Sequence, residues 1–199
     1  MQSPGPVSER GVATRNALLA AARAVFGEVG FAQASVHDIV TRARASVGSL
    51  YHHFSGKGDL YLSLYNDFQQ RQQERTRTAI HAARAQGRTE PVPLLIEGAR
   101  AYLDGCILER ELSRLFVSGD GPPGFDAILR RHMHDWVNRS ARVFRQAEEP
   151  VDAALLIVVS GTMIAAVAEL ARLEDERRAR ALAADVLGTL AGIRTSRAG

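Results

Sequence analysis

Small polar side chains and longer aromatic or basic ones are concentrated in one short run of this chain, between residues 46 and 57. Ser46 and Ser49 offer hydroxyl groups, and Gly48 between them adds no side-chain bulk, so a partner can approach the backbone closely. Three longer side chains that can reach phosphate oxygens follow: Tyr51, His52 and Lys57. This combination favours contact with a nucleic acid.

Catalytic and metal chemistry find little support in the sequence. Cys106 is the single cysteine, which excludes an intramolecular disulfide and a multi-cysteine zinc site. His132 and His134 are two residues apart and point to different faces of a predicted helix, so a metal pair is not expected. The sequence has no glycine-rich phosphate loop and no recognisable nucleophile–base pair. We therefore predict that the protein is not an enzyme and that it holds no metal and no cofactor.

Hydrophobic spacing predicts helices around the 46–57 run and along the rest of the chain. A first helix is expected to begin at Thr14 and to stop at Gly30. A long helix is expected to begin at Asp59, and further helices are predicted over residues 92–108, 111–117, 125–146, 151–173 and 175–193. No stretch alternates as a strand would, so the predicted fold class is all-α.

The 46–57 run falls on the second of two short helices joined by a tight turn. Ser35 is expected to cap the first of these helices, with Asp38 completing a capping box. Ser46 is expected to cap the second, in which Leu50 and Phe54 turn toward the core. Two such helices, braced by a preceding one, are the architecture of a helix-turn-helix.

This pattern divides the chain into three parts. Residues 1–12 are predicted to be a disordered leader, and residues 13–58 a three-helix helix-turn-helix domain that binds DNA. Residues 59–199 are predicted to be a second helical domain whose first helix is the connector, and the family resemblance described below implies that this domain binds an effector and dimerises. Because the apolar face of that helix fades after Phe68, we expect residues 69–77 to be solvated.

The run from Ser46 to Leu60, with its Leu-Tyr-His-His-Phe pattern and its lysine-containing turn, resembles the signature of the tetracycline-repressor (TetR) family. The resemblance covers roughly Thr14 to Leu64, and the rest of the chain agrees only in length and helical content. Upstream positions that match the family's core and cap residues are Phe26, Gly30, Phe31, Ser35 and Ile39.

The resemblance implies a role for each residue that matches the family pattern. It implies phosphate contacts for Ser35, Tyr51 and Lys57, and positions near base edges for Gly48, Ser49 and His52. Packing in the core is the alternative role for Tyr51 and His52. With the helix-capping Ser46 added, the predicted DNA-binding set is Ser35, Ser46, Gly48, Ser49, Tyr51, His52 and Lys57.

Three positions depart from the family pattern. Arg44 stands in the turn where glycine is usual, and a left-handed arginine there would cost about 1 kcal/mol, so we expect a slightly rearranged turn. Val40 replaces a small alanine. Val47 replaces a frequent lysine, which removes one phosphate contact.

The second half of the chain is predicted to hold a homodimer interface. Residues 153–168 are apolar nearly all round, so they must be covered on more than one side. Small residues at Ser160, Gly161 and Ala165 would allow a partner helix to approach closely. We expect a homodimer through the helices around 151–173 and 175–193, as in the TetR family; a helix buried within one chain is the alternative.

A small-molecule effector of unknown identity is expected to bind among the helices of the same half. The candidate lining residues are Tyr102, Cys106, Phe116, Trp136 and Met163. Each of these side chains could equally be part of the core.

Composition sets outer bounds on these interpretations. A net charge of +3 and a pI near 9.5 permit a polyanionic partner without requiring one. Residues 1–15 lack the apolar core of a secretory signal. The apolar stretch at 153–168 is shorter than the ~20 residues that a membrane span needs. We therefore expect a cytoplasmic protein with no membrane partner.

Taken together, the sequence predicts a ligand-responsive DNA-binding transcriptional regulator. The expected mode of action is a repressor that a small molecule releases from a palindromic double-stranded operator. The alternative is an all-α interaction or ligand-binding protein of the same fold that has lost operator binding, which the residues at positions 44 and 47 motivate.

Overall fold

The computed structural model describes residues 9–144 and 153–193. These residues form helices and no strand, which confirms the predicted all-α class. The helices are α1 (Glu9–Gln33), α2 (Val36–Ala43), α3 (Val47–His53), α4 (Lys57–Ala85), α5 (Pro91–Leu108), α6 (Arg110–Val117), α7 (Phe125–Phe144), α8 (Ala153–Arg172) and α9 (Glu176–Ala191).

The first compact unit comprises the chain up to Phe68 together with Ser118–Pro122. Its core is an aromatic cluster in which the rings of Phe26, Phe31 and Tyr61 lie 5.3 to 5.7 Å apart, centre to centre. An ion pair between Glu28 and Arg42, at 2.7 Å, joins α1 to α2. The unit continues past residue 58, where the sequence suggested a boundary, because the first turns of α4 bury their apolar face in this core.

Helix α1 begins earlier than the sequence indicated. The predicted leader reached residue 12, but residues 9–12 are helical, and residues 1–8 lie outside the described part of the chain. Thr14 is therefore inside the helix and not at its N-cap, and its hydroxyl donates to the carbonyl oxygen of Arg10 at 2.9 Å. Gly30, with φ of +79°, interrupts the helix at the expected position.

Helix α4 also differs from the prediction. It begins at Lys57, and Asp59 lies in its first turn, where the carboxylate accepts the N–H of Ser55 at 2.9 Å. The expectation that residues 69–77 are solvated is wrong for the inner face of this stretch. Gln72 is fully buried, and Arg71 and Arg75 are both paired with the carboxylate of Glu109, the residue that follows α5.

The second compact unit comprises residues 69–117 and 123–199 as far as they are described. Helix α5 packs against α8 and α9, and α6 packs against α8. Two arginines of α6 cap the end of α8: Arg110 donates to the carbonyl oxygen of Leu173 at 3.0 Å and Arg114 to that of Ala171 at 3.0 Å. The central core residues are Leu94, Leu103, Leu112, Leu156, Leu170 and Leu187.

Helix α8 has one buried and one exposed apolar face. By length and composition, its segment Ala154–Arg172 is the one helix of the described residues that could cross a membrane. Its inner face is nevertheless part of the core of this unit, as expected for a core helix of a globular domain. Ser160, which the sequence grouped with the small residues at 161 and 165, is buried on the inner face and donates to the carbonyl oxygen of Leu156.

Candidate nucleic-acid interface

The cap of α2 is the capping box that the sequence predicts. The hydroxyl oxygen of Ser35 accepts the N–H of Asp38 at 3.1 Å, and the Asp38 carboxylate accepts the N–H of Ser35 at 3.3 Å and its hydroxyl at 2.6 Å. This hydroxyl hydrogen bond holds the pKa of Asp38 below its usual value. Both donors of Ser35 therefore point to Asp38, and a phosphate would have to displace one of these bonds.

The turn between α2 and α3 contains a left-handed arginine. Arg44 adopts φ 52° and ψ 39°, and the N–H groups of Arg44 and Ala45 bond back to Thr41 at 3.2 Å and Val40 at 2.9 Å. The expected rearrangement of the turn is therefore wrong, because the usual left-handed conformation is kept with a side chain that strains it. Val40 is buried, and the Arg44 side chain is exposed.

Helix α3 presents one face to the core and the other to solvent. Leu50 is fully buried, as predicted, and Phe54 follows it into the core. The Ser46 hydroxyl oxygen accepts the N–H of Ser49 at 3.0 Å and starts the helix. The exposed face carries Val47, Gly48, Tyr51 and His52, and the side chain of Tyr51 is 57% exposed. Core packing therefore does not account for Tyr51 or His52.

A groove of about 420 Å³ lies beside this exposed face and adds residues that the sequence interpretation missed. Its walls come from the start of α1 and from α3, and they are Arg10, Gly11, Thr14, Gly48, Ser49, His52 and His53. Arg10 was missed because it fell in the predicted leader, whereas the helical start of α1 brings its guanidinium beside α3. The groove combines a cation, hydroxyls and imidazoles, which suits a sugar–phosphate backbone.

Lys57 does not lie on the exposed face. Its ammonium group donates to the carbonyl oxygens of Phe31 at 2.9 Å, Ala32 at 3.1 Å and Ala34 at 3.0 Å. An ammonium group has three N–H donors, so all of them are engaged. The predicted phosphate contact through this ammonium group does not fit the geometry, and Lys57 instead fixes the junction between α1 and α2.

The same junction is held from another side by Asp120 of the 118–122 segment. Its carboxylate accepts the N–H of Ala32 at 3.0 and 3.3 Å. Gly30 makes room for this bond: it has positive φ, and a Cβ there would clash with the Asp120 carboxylate. The segment that follows α6 in the chain is thus anchored in the first unit.

The predicted effector residues lie in the second unit, on α5 to α8. Cys106, Phe116 and Met163 are buried, and Tyr102 and Trp136 are half-buried. A groove of about 580 Å³ in this unit lies between the start of α5 and the end of α9 and contains none of the five. Burial raises the pKa of the Cys106 thiol to about 12, so the thiol is neutral.

Metal chemistry has no candidate site among residues 9–144 and 153–193. No group of three or more histidine, cysteine, aspartate or glutamate side chains there could hold a metal ion. The candidate site is therefore the set of hydrogen-bonding and charged groups on α3 and at the start of α1.

Two short helices with a tight turn, a buried inner face and an exposed polar face on the second helix define a helix-turn-helix, a motif that enters DNA grooves in many regulators. Comparison with known proteins gives a family match for this part of the chain. Residues 18–64 match the sequence profile of bacterial regulatory proteins of the tetR family. This segment of the chain therefore matches the family that the resemblance at residues 46–60 implied.

Individual relatives agree with this assignment. The chain is 26% identical over 175 residues to the A-factor receptor protein of Streptomyces griseus, a match that covers 80% of this chain and 56% of that protein. The chain thus spans about half the length of this curated relative.

Solved structures share the fold along most of the chain. A TetR-family transcriptional regulator from Pectobacterium atrosepticum is 26% identical with a TM-score of 0.58, covering 91% of this chain and 92% of that one. The regulator FadR from Bacillus subtilis, solved in complex with stearoyl-CoA, is 18% identical with a TM-score of 0.70, covering 90% of this chain and 99% of that one.

Proposed function

We propose that this protein is a ligand-responsive DNA-binding transcriptional regulator, and that it acts as a repressor released from a near-palindromic operator by a small molecule. The observation that carries this proposal is the exposed face of α3, where Tyr51 and His52 point to solvent while Leu50 is fully buried. A recognition helix needs this division, because its outer face must enter the major groove while its inner face holds it on the domain.

The proposed contacts divide into two groups. Gly48, Ser49 and His52 lie near base edges, with Ser46 at the helix start, and Tyr51 contacts a phosphate. Arg10 and His53 join the phosphate contacts, since they line the groove beside α3. Lys57 and Ser35 act indirectly, because their donors are used within the protein to fix the elements that carry the contacts.

The active form is a homodimer through α8 and α9. The outer face of α8 exposes Ile157, Val158 and Ile164, which are 66%, 48% and 50% exposed, around Gly161 and Ala165. A continuous apolar stripe of this kind is covered in a stable protein, and a second copy of α8 covers it symmetrically. Two recognition helices then read two half-sites.

The effector binds within the second unit, near Tyr102, Cys106, Phe116, Trp136 and Met163. The similarity of fold to a regulator that holds stearoyl-CoA supports a small molecule as the signal. The protein acts in the cytoplasm, where chromosomal DNA is accessible.

Footprinting on the DNA that flanks the gene of this protein tests the proposal. We expect protection of two symmetric half-sites, with log affinity falling linearly as log salt rises. Protection of a single asymmetric half-site contradicts the dimer. Absence of any protected site, with a folded protein, supports the alternative of an interaction protein that has lost operator binding.

A further inference from the structure

Gln72 is a fully buried side chain whose amide has no hydrogen-bond partner. It is 0% exposed, and both its Nε2 and Oε1 atoms are unpaired. Native proteins satisfy nearly all such groups, because an unpaired buried polar group forfeits the hydrogen bonds it made with water. The Gln72 amide therefore needs a hydrogen-bond partner from outside the chain, either a ligand or a buried water.

The amide lies against Gly105 of α5, where any side chain would have to displace it. A Cβ at Gly105 would clash with Oε1 of Gln72 and would lie 3.0 Å from its Nε2. Gly105 is next to Cys106 and one turn after Tyr102, two of the residues predicted to line the effector site. The unpaired amide is thus placed beside the predicted site and not at the solvent-facing side of α4.

The charged groups on either side of Gln72 neutralise one another. Arg71 and Arg75 both bind the carboxylate of Glu109, each at 2.5 Å. Neither arginine is free to pair with a carboxylate or a phosphate of a ligand without breaking this cluster. Near Gly105 in the sequence, the Cys106 thiol is neutral, and the Ser113 hydroxyl donates to the carbonyl oxygen of Cys106 at 3.0 Å.

We propose that Gln72 is the polar anchor of the effector site, and that the effector is an uncharged molecule with an apolar body and an amide or related carbonyl group. A carboxamide supplies two N–H donors and one carbonyl acceptor, so it pairs with a group of the same kind through two hydrogen bonds. For the apolar body, the second unit offers buried apolar side chains such as Leu103, Leu112 and Phe116. This inference rests on the proposed effector domain, and it names the ligand class that this domain takes.

Thermal unfolding of the full chain with two probes of equal length tests the ligand class. Octanamide carries the predicted neutral group, and octanoate carries a charge instead. We expect octanamide to raise the Tm by about 3–5 °C for each tenfold increase above its Kd, whereas octanoate has little effect. No shift with octanamide, or equal shifts with both probes, overturns the proposal.

Two variants on α4 assign the effect to the buried amide. Gln72→Met removes the unpaired amide at similar volume, so the free protein should unfold at a higher temperature and lose the octanamide shift. Gln73→Met, at the exposed neighbouring position, is the matched control and should keep the shift. Two results would contradict the proposal. In one, Gln72→Met keeps the octanamide shift; in the other, Gln72→Met lowers the Tm while octanamide acts equally on both variants. Either result means that buried water bridges the amide.

Operator binding separates this inference from the proposed function. Wild type that shows the octanamide shift but binds no flanking DNA overturns the regulator function and keeps the ligand site. Wild type that binds its operator and ignores octanamide overturns the ligand site and keeps the regulator function.

Discussion

The ammonium group of Lys57 donates a hydrogen bond to the carbonyl oxygen of Phe31 at 2.9 Å and lies 4.6 Å from the centre of the Phe31 ring. The first turn of α4 is thereby fixed to the end of α1, one residue after the glycine that breaks that helix. Asp120 holds the N–H of Ala32 in the same junction. Lys57, the only lysine of the chain, therefore stabilises the domain that contains α3.

Replacement of Lys57 by methionine keeps the apolar stem over Phe31 and removes the three donors. We expect the free energy of unfolding to fall by about 2–3 kcal/mol, because three charged hydrogen bonds, two of them part-buried, are lost. The slope of log affinity against log salt should not change, since no phosphate contact is removed. A slope reduced by one phosphate contact at unchanged Tm would instead restore the direct DNA role for Lys57.

Tyr51 should affect DNA binding and not stability, in contrast to Lys57. Tyr51→Phe removes only a hydroxyl from an exposed ring, so the Tm should barely move, while DNA binding weakens about equally at every site. Tyr61→Phe is the matched control, because Tyr61 is fully buried in the aromatic cluster and should change stability and not the contact. A mobility-shift titration on specific and mismatched operators measures both variants.

Lys57 and Tyr51 show which features of the structure the sequence can predict and which it cannot. Helical periodicity predicts the described helices to within a few residues, except for the start of α1, and it places Leu50 inside; the DNA contact of Tyr51 stays a prediction that rests on the family resemblance. Periodicity cannot predict where the Lys57 ammonium group binds, because the carbonyls that accept its hydrogen bonds are 23 to 26 residues away in the chain. Arg10 and Gln72 were missed for the same reason, since the groups beside them belong to α3 and α5.

Arg44 is strained by its left-handed backbone, and glycine should relieve the strain. We expect Arg44→Gly to be about 1 kcal/mol more stable than Arg44→Ala, because both lose the side chain and only glycine adopts positive φ freely. Chemical denaturation of the two variants measures the difference. If they are equally stable, the turn is not strained at this position.

The stability of the second unit in acid should depend on the ion pairs that Glu109 forms with Arg71 and Arg75. Burial raises the pKa of its carboxyl, but the hydrogen bonds and charges of Arg71 and Arg75 outweigh burial and hold the pKa below its usual 4.5. A lowered pKa in the folded state means that the stabilisation is complete above pH 4.5 and is lost as the pH falls through the folded value.

Glu109→Gln should therefore destabilise the protein near neutral pH and approach wild type in acid. Denaturation at a series of pH values measures this convergence. Glu169→Gln is the control, because Glu169 forms an exposed pair with Arg172 and should change stability little at any pH. A destabilisation of Glu109→Gln that does not depend on pH would contradict the ionic role.

Gly161 is at the centre of the exposed apolar stripe of α8, and the space beside it is open within one chain. A Cβ at Gly161 would meet no atom within 4 Å, and the same holds for Gly27 on α1. Within a single subunit, valine is therefore sterically tolerated at either position. Any defect specific to position 161 has to come from a second copy of the chain.

Gly161→Val should shift the protein toward monomer and abolish operator binding, although no residue near DNA is altered. Overpacking a close helix contact costs about 1–3 kcal/mol, and a symmetric interface carries the change twice. Sedimentation velocity measures the monomer fraction, and mobility shift measures operator binding. Gly27→Val is the control, since it places the same side chain in open space on another helix and should remain dimeric. If Gly161→Val is as dimeric as this control and binds the operator normally, α8 does not form the interface through this face.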